Sequence, residues 1–449
     1  MSTPDLSPPV PHGDPMTKRQ LSRRHFIAGA AGVGIAGAAA VAVTRHPVAR
    51  AAAKGAHFSP AALAEGGKGT LVLIALYGGN DGENTVIPFH DPAYLGGRPT
   101  LGYQPNEVIA LDNDLALHPS LKGLKSLWDA KQLAIVRGVG YPSPTHSHFR
   151  GMDIWQSAVP DRDEITGWIG RWIDTTVGKD PLLTLSLGPT LPKVVTGAKA
   201  TGAALPAGTL ALPGGGRLDA PFTALESAVA GGDLAARIAQ SGSDLLTVIH
   251  SVKDVLATQP AGSGSTSLEV APPDSTTTVT TGPTKAQAQA QRGLAGQLDT
   301  IGRLIKGGLP TRVYVVAMGG FDTHVTEKAN HATLMADLDA GITGFVKAMA
   351  ADPKGKDVVV MTFSEFGRRV AQNASGGTDH GTAAPLFVAG PGIKGGFYGD
   401  QPSLTDLDQG DLRFTTDFRS VYATVADRVL GVDPRVLLDG KSFPALGFV

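Results

Sequence analysis

The sequence contains no cysteine, and this absence removes several kinds of chemistry at once. Disulfide bonds, thiolate metal sites and a cysteine nucleophile are all excluded. An excess of charge of one sign is also lacking, because 39 Lys and Arg residues stand against 40 Asp and Glu, a net charge of -1. Proteins that bind nucleic acid usually carry a basic excess, so no nucleic-acid partner is expected. No run of 18 or more large apolar residues occurs either, which argues against a multi-span membrane protein.

The first 53 of the 449 residues have the form of an export signal. Arg23 and Arg24 precede a mildly apolar stretch over residues 27–43, and Ala49-Arg50-Ala51 has the small-x-small form of a signal-peptidase site. The paired arginines followed by x-Phe-Ile resemble the twin-arginine type of signal. We therefore expect the twin-arginine export machinery as a partner, a periplasmic or extracellular location, and no stable membrane anchor. The alternative is an anchor that stays attached, although a true span needs about 20 apolar residues.

The rest of the chain has enough apolar material for a folded core, since 42% of all residues are hydrophobic. Five short apolar runs predict buried strands: Leu71–Leu76, Leu133–Val139, Val313–Met318, Val358–Phe363 and Leu386–Ala389. Residues 332–350 carry apolar side chains at helical spacing. This mixture predicts an α/β fold over residues 54–449, with a mainly parallel central sheet covered by helices on both faces.

Two segments of this domain depart from the strand and helix patterns. Residues 188–230 are rich in Gly, Pro and Ala, which predicts a loop-rich insertion. Residues 258–290 consist mainly of small polar residues and proline, so they have too little apolar surface to order themselves. We expect a flexible surface loop there.

Polar residues gather at the ends of the predicted strands, where ligands of open α/β sheets bind. The candidate functional residues are Asp81, Ser147, Arg150, Asp322, His324, Glu365, Arg368 and His380. Recurring carboxylates and imidazoles predict a metal site with oxygen and nitrogen donors only. Each motif also has a structural explanation: a tight turn at residues 78–82, a helix cap at Asp322, or a surface pair of Glu365 with Arg368.

Two common hydrolase signatures are missing from the sequence. No G-x-S-x-G occurs, so the nucleophile elbow of α/β-hydrolases is unsupported. The H-E-x-x-H zinc helix is absent as well.

Five motifs, in order along the chain, resemble the exported bacterial family of domain of unknown function 1501. They lie at residues 79–85, 147–156, 320–324, 364–368 and 378–381, and the resemblance covers about residues 68 to 435. That family is grouped with the alkaline-phosphatase-like superfamily, which includes sulfatases and cofactor-independent phosphoglycerate mutases. Membership implies a sheet with helices on both faces and, in the active relatives, two metal ions that hold a phosphate or sulfate ester.

The resemblance also implies roles for individual residues. The implied ligands of a divalent ion (zinc, calcium, magnesium or manganese) are Asp81, Asp322, His324, Glu365 and His380. Ser147, or less well Thr145, lies in the segment that carries the nucleophile in the superfamily. We expect the five ligands to converge on one pocket, because a parallel sheet brings the loops after its strands to one edge.

These residues predict an exported, metal-dependent hydrolase of phosphate or sulfate esters, with a small-molecule, glycan or lipid ester as substrate. Backbone N–H groups at the helix start near Ser147 would meet the developing anion. Arg150 or Arg368 would clamp a non-bridging oxygen with two parallel hydrogen bonds.

The alternative is a non-catalytic secreted binding or assembly protein that keeps the fold with a degenerate metal site. Two departures from the superfamily pattern favour it. Phe366 stands in a motif position where a metal-binding histidine is usual, and a phenyl ring cannot bind a metal. Asp322 and His324 are separated by one residue, whereas the usual spacing is Asp-x-x-x-His.

The export signal is directly testable. Changing Arg23 and Arg24 together to Lys is expected to leave the precursor in the cytoplasm, because Lys does not reproduce the planar guanidinium fork that the export receptor reads. Fractionation of cells that express the two forms measures the outcome. Undiminished export of the double variant by the same route would refute the signal assignment.

Overall fold

The computed structural model of the protein describes residues 69–176, 180–188, 190–205, 233–259 and 293–449, without the side chains of 233–239. The predicted signal peptide, residues 206–230 of the predicted insertion and residues 260–290 of the predicted loop lie outside the described residues. Within the described ranges, no helix has the length and apolar character needed to cross a membrane.

The strands are short and frequent. In chain order they are β1 Thr70–Leu76, β2 Val86–Ile87, β3 Ile109–Ala110, β4 Ala116–Leu117, β5 Leu133–Gly140, β6 Thr184–Leu187, β7 Ala203–Leu205, β8 Val313–Met318, β9 Val358–Ser364, β10 Arg368–Gln372, β11 Thr378–His380, β12 Ala384–Ala389, β13 Gly396–Tyr398, β14 Leu407–Asp408, β15 Asp411–Leu412 and β16 Thr416–Asp417.

The helices alternate with the strands. They are α1 Gly82–Thr85, α2 Pro92–Gly97, α3 Lys122–Asp129, α4 His148–Ser157, α5 Trp168–Thr175, α6 Asp233–Thr258, α7 Leu294–Lys306, α8 Glu327–Ala350, α9 Phe418–Val425 and α10 Pro434–Leu437. Lys193–Val195 and Pro353–Gly355 form 3-10 turns, and a π-helical turn over Ala426–Leu430 continues α9. The helix predicted over residues 332–350 lies inside α8.

Nine strands form the central sheet, in the order β13-β5-β12-β9-β1-β8-β6-β7 with β16 paired to β5. Every neighbouring pair is parallel except those made by β12, which runs antiparallel to both β5 and β9. Since the five predicted strands correspond to β1, β5, β8, β9 and β12, the predicted mainly parallel α/β sheet is confirmed.

Helices cover both faces of the sheet, as alternation along β1 shows. Val72 and Ile74 belong to a buried cluster with apolar side chains of α3, α6, α7 and α8. Leu71 and Leu73 belong to a second cluster with side chains of α4, α5, α9 and α10. The continuous apolar sequence of the strand is therefore explained by burial on both of its faces.

The direction of β12 determines which loops meet. The parallel strands β1, β5, β8 and β9 all end at one edge of the sheet, which we call the carboxyl edge. Because β12 runs the other way, it begins at that edge, and the hairpin of β10 and β11 that precedes it lies there too. Residues before β12 therefore join residues that follow the other four strands.

Candidate metal centre at the carboxyl edge

Three imidazole rings, those of His148, His324 and His380, converge on the carboxylate of Asp322. We call these four residues the three-histidine group. The Nε2 atoms of His324 and His380 each lie 3.2 Å from Asp322 Oδ1, and Nε2 of His148 lies 3.5 Å from Oδ2. Nε2 of His324 and Nε2 of His380 are 2.9 Å apart. His148, Asp322 and His380 each offer one ligand atom, and these three atoms all lie within 4.8 Å of one another.

These four residues come from three separate segments at the carboxyl edge. Asp322 and His324 lie in the loop after β8, His148 is the first residue of α4, and His380 is the last residue of β11. Gly78, in the loop after β1, makes their approach possible. Its φ is +123°, and a Cβ atom there would lie 2.3 Å from the backbone nitrogen of Asp322. A residue with a side chain at position 78 would displace the Asp322 loop.

Each ring directs its other nitrogen at an acceptor. Nδ1 of His148 lies 2.8 Å from Glu365 Oε1, Nδ1 of His380 lies 2.7 Å from the carbonyl oxygen of His146, and Nδ1 of His324 lies 3.4 Å from Asp379 Oδ1. A carbonyl or carboxylate oxygen accepts only, so Nδ1 of His148 and His380 must carry the hydrogen. In the neutral rings Nε2 then holds a lone pair.

A lone pair that faces a carboxylate oxygen is repelled unless a cation lies between the two. Burial lowers the pKa of His380, which favours its neutral ring. Nε2 of His148 is buried and has no hydrogen-bond partner. Nε2 of His148 and Nε2 of His380 lie 3.5 and 3.2 Å from the Asp322 oxygens, close to the separation of about 2.9 to 3.4 Å between ligands held about 2.0–2.1 Å from one ion. All three ligand atoms lie within 4.8 Å of one another. The donor set therefore fits one metal ion.

Asp322 remains ionised in this arrangement. Burial alone raises its pKa, but the hydrogen bond and the positive charge of Arg368 outweigh that effect and lower the pKa of Asp322 to about 2. Arg368 Nη2 donates to Asp322 Oδ1 over 2.7 Å.

The guanidinium group of Arg368 is fully buried and is committed to the protein. Besides Asp322, it donates to the backbone carbonyl oxygens of Gly78, Gly79, Phe321 and Thr378. Its predicted role as a clamp on a substrate oxygen does not fit this geometry, because its donors already have acceptors. It instead ties together the loop after β1, the loop after β8 with Asp322 and His324, and the hairpin that carries His380.

Glu365 holds His148 in place and is not itself in the ligand group. Its Oε1 accepts from the backbone N–H of Gly78 over 2.8 Å as well as from His148, and Ser364 Oγ donates to Oε2 over 3.2 Å. A carboxylate behind a histidine in this way sets the tautomer and orientation of a metal-binding ring.

Ser147 and Arg150 have local roles at the start of α4. The exposed Ser147 is the N-cap, and its Oγ accepts from the backbone N–H of Arg150 over 3.4 Å. Arg150 forms ion pairs with Asp153 and Asp163 at 2.8 and 3.0 Å and donates to two backbone carbonyls, so its fork is turned away from Asp322. Both side chains are therefore engaged in contacts at the start of the helix.

Asp81 lies in a different environment from the other predicted ligands. Its carboxylate receives hydrogen bonds from Arg98 at 2.5 and 2.9 Å, and both side chains are completely buried. Burial raises the pKa of Asp81, but the Arg98 guanidinium outweighs it and keeps the pKa below the ordinary range. Sequence reasoning missed Arg98, because no local pattern around it indicates a partner near β1.

Glu327, another residue that the sequence did not single out, completes this buried group. Thr378 Oγ1 donates to its Oε2 over 2.6 Å, whereas its Oε1 is buried without a donor. Burial and the neighbouring Asp81 carboxylate raise the pKa of Glu327 well above its usual range. A protonated carboxyl has a hydrogen to donate, which accounts for the contact between two buried acids.

Of the five predicted ligands, Asp322, His324 and His380 lie together in the structure. Glu365 is connected to them only through His148, and Asp81 is paired with Arg98. His148 was missed as a ligand, although it follows Ser147 directly in the motif at 147–156. A histidine at the first position of a helix, next to the expected nucleophile, was the signal that could have found it.

The sequence profile of the family described as protein of unknown function, DUF1501, matches residues 210–441. The chain belongs to this family. The family predicted from the five motifs is therefore confirmed. No curated protein matches this DUF1501 chain in sequence.

Three solved structures are similar at low identity. Ps i-CgsB is 11% identical, with 83% of this chain and 75% of that chain covered and a TM-score of 0.36. A protein in the alkaline phosphatase superfamily from Vibrio parahaemolyticus is 10% identical, with 85% and 72% covered and a TM-score of 0.38. Alkaline phosphatase from the Antarctic bacterium TAB5 is 11% identical, with 73% and 93% covered and a TM-score of 0.33. These values are too low to carry over the role of any residue.

The buried Asp81–Arg98 pair predicts a large effect on stability. Asp81→Asn is expected to lower the free energy of unfolding by about 3–5 kcal/mol, because it leaves the Arg98 charge buried without its partner. Asp129→Asn is the matched control, since its exposed pair with Lys125 is worth at most about 0.5 kcal/mol. Denaturant unfolding measures both, and equal effects of the two changes would contradict the assignment.

Glu327 predicts a pH dependence. Its pKa in the folded state lies above the unfolded value, so the folded protein binds one more proton, and this contribution to stability is lost as pH rises from about 4.5. Glu327→Gln mimics the protonated carboxyl. Its stability relative to the unmodified protein is expected to rise between pH 5 and 8, by up to roughly 1.4 kcal/mol per pH unit. A difference that is constant with pH in denaturant unfolding would rule this out.

Proposed function

We propose that the protein is a metal-dependent hydrolase of phosphate or sulfate esters, and that it works at the three-histidine group around Asp322. One observation carries the proposal: the Nε2 atoms of His148 and His380, whose Nδ1 atoms are held as donors, face the same carboxylate, and Nε2 of His148 has no other partner. Such an arrangement offers two nitrogen lone pairs and a carboxylate to one cation.

The donor set favours particular ions. Three imidazoles and one carboxylate suit zinc or a neighbouring transition metal, whereas calcium and magnesium prefer oxygen ligands only. The residues expected to hold a second ion do not form a second donor group in the described part of the chain: Asp81 is paired with Arg98, and Phe366 offers no ligand atom. We therefore propose one ion per chain.

The residues divide the remaining tasks. A bound divalent ion supplies charge stabilisation for the oxygens of the transferring group. His148, His324, His380 and Asp322 would hold it, and Glu365 would keep His148 oriented. The first backbone N–H groups of α4 have no partner inside the helix and would face an anionic ester from the side of Ser147. The Ser147 hydroxyl is exposed beside them and is the candidate nucleophile.

A second function has a specific observation in its favour. The donors of Arg368 and Arg150 are taken up by the protein, so neither expected clamp is free to hold a substrate oxygen. A binding or assembly protein that keeps a metal but lacks turnover would have this arrangement. The two functions differ in one measurable property, hydrolysis by the metal-loaded protein.

The site of action follows from the predicted signal. We propose export by the twin-arginine machinery and action on a small-molecule, glycan or lipid ester outside the cytoplasmic membrane. The signal sequence supports this proposal, and the fractionation experiment on Arg23 and Arg24 tests it.

Metal analysis combined with turnover tests the proposed function. The mature protein is expected to hold one equivalent of metal and to hydrolyse an aryl phosphate or an aryl sulfate. His148→Ala, Asp322→Ala and His380→Ala should each lose the metal, because one ligand of a small set is removed. Glu365→Gln should weaken metal binding by about 10–100-fold, since it acts through His148.

His90→Ala is the matched control, because His90 is an exposed histidine bonded to the backbone of Asn113. It should leave metal content and turnover unchanged. Bound metal without turnover of either ester would support the binding protein instead. Absence of bound metal from the unmodified protein after incubation with zinc would overturn the site itself.

A further inference from the structure

The hairpin of β10 and β11 carries His380, but it is not part of the central sheet. It forms a separate two-stranded sheet, in which Arg368 is paired with His380 and Gln372 with Thr378. A two-stranded hairpin is at best marginally stable by itself. The position of His380 therefore depends on the groups against which the hairpin is docked.

Thr378 docks this hairpin through its side chain and its backbone. The residue is fully buried, and its hydroxyl donates to Glu327 Oε2 over 2.6 Å. Its backbone N–H donates to the carbonyl oxygen of Thr323 over 3.3 Å, and its own carbonyl oxygen accepts from Arg368 Nη1 over 2.9 Å. Thr378 thus connects the strand that ends in His380 to α8, to the loop after β8 and to the buried guanidinium.

Glu327 is a fixed anchor for the Thr378 hydroxyl. It is the first residue of α8 and is completely buried. Its backbone N–H donates to the carbonyl oxygen of Gly376 over 3.0 Å, so both its side chain and its backbone are bonded to the hairpin. On the other side its carboxyl is hydrogen-bonded to Asp81, which is in turn paired with the buried Arg98.

The hairpin also lies directly against the loop that carries two other members of the three-histidine group, Asp322 and His324. A Cβ atom at Gly377 would lie 2.2 Å from the carbonyl carbon of His324, so only glycine allows this approach. Metal ligands must lie within about 0.2 Å of their bonding distances. A small displacement of the hairpin would therefore take the imidazole of His380 out of bonding range of an ion held by Asp322 and His148.

We propose that Glu327 is a positioning residue of the metal centre: through Thr378 it fixes the hairpin that carries His380, and so determines how tightly the three-histidine group binds its ion. The inference rests on the metal site of the proposed function. The role differs from that of Glu365, because Glu365 bonds to the ring of His148 directly, whereas Glu327 acts on His380 through the backbone of β11.

Paired substitutions at the two partners test this role. Thr378→Val keeps the shape of the side chain but removes the donor, and Glu327→Leu removes the acceptor. Each should weaken zinc binding by about tenfold or more, the loss typical of a residue that supports a ligand. Thr378→Ser and Glu327→Gln keep the donor and the acceptor and should bind zinc as the unmodified protein does. Competition with a chromophoric chelator measures the affinity of the mature protein.

Two further measurements separate positioning from a general loss of stability. The visible spectrum of bound cobalt(II), which reports the number of ligands and their geometry, should change in Thr378→Val and be restored in Thr378→Ser. In the metal-free protein, the backbone amides of residues 376–380 should exchange hydrogen faster in Thr378→Val. Thr333→Val is the matched control, because the exposed Thr333 lies on the same helix as Glu327 and bonds only to the backbone of Ala329. It should change neither readout.

The outcomes distinguish this role from the proposed function. A lower free energy of unfolding in Thr378→Val with unchanged zinc affinity and an unchanged cobalt spectrum would overturn the role and leave the metal site intact. Weakened zinc binding in Thr378→Ser would also contradict it, and this arm remains available if the Val variant does not fold. Absence of bound metal from the unmodified protein would overturn the metal site, and the role of Glu327 with it.

Discussion

The buried guanidinium of Arg368 is the interaction on which the carboxyl edge depends. A cation without water is tolerated only where acceptors surround it, and here the acceptors are backbone carbonyls from the loops after β1, β8 and within the β10–β11 hairpin, together with Asp322. Removing the guanidinium would leave those carbonyls unsatisfied and free the loops to separate. The positions of the Asp322 loop and of the hairpin that carries His380 therefore depend on this buried cation, whereas His148 is held by Glu365.

A second buried cation, Arg98, has a comparable structural role. It compensates the Asp81 carboxylate and also donates to the carbonyls of Val370 and Arg369 in β10. Two buried guanidinium groups therefore hold β10 in place, that of Arg98 and that of its own residue Arg368. Glu327 adds the Thr378 contact at the start of β11, so the hairpin that carries His380 is fixed along its length.

The three-histidine group and a cavity of about 450 Å³ beside it share residues that serve both. The backbone carbonyl of His146 accepts from His380, and its ring Nε2 lies 2.7 Å from Asp411 Oδ2. The ring of Phe366 packs against the rings of His148 and His380 and also lines the cavity. In the superfamily pattern Phe366 counts as a lost ligand. In this chain the phenyl ring separates a polar site from a partly apolar cavity. A histidine ring at this position would give a more polar surface.

The sequence by itself determined the family, the five strands and the edge at which polar residues gather, because apolar runs and the loops after them are local patterns. It also identified Asp322, His324 and His380 as candidates. Tertiary structure alone decided which of these residues meet. His380 lies at this edge because β12, which follows it, runs antiparallel and begins there. Asp81 is paired with the buried Arg98, which is 17 positions away in the sequence and has no periodic relation to it. Charge compensation is set by distance in space, and no local pattern encodes it.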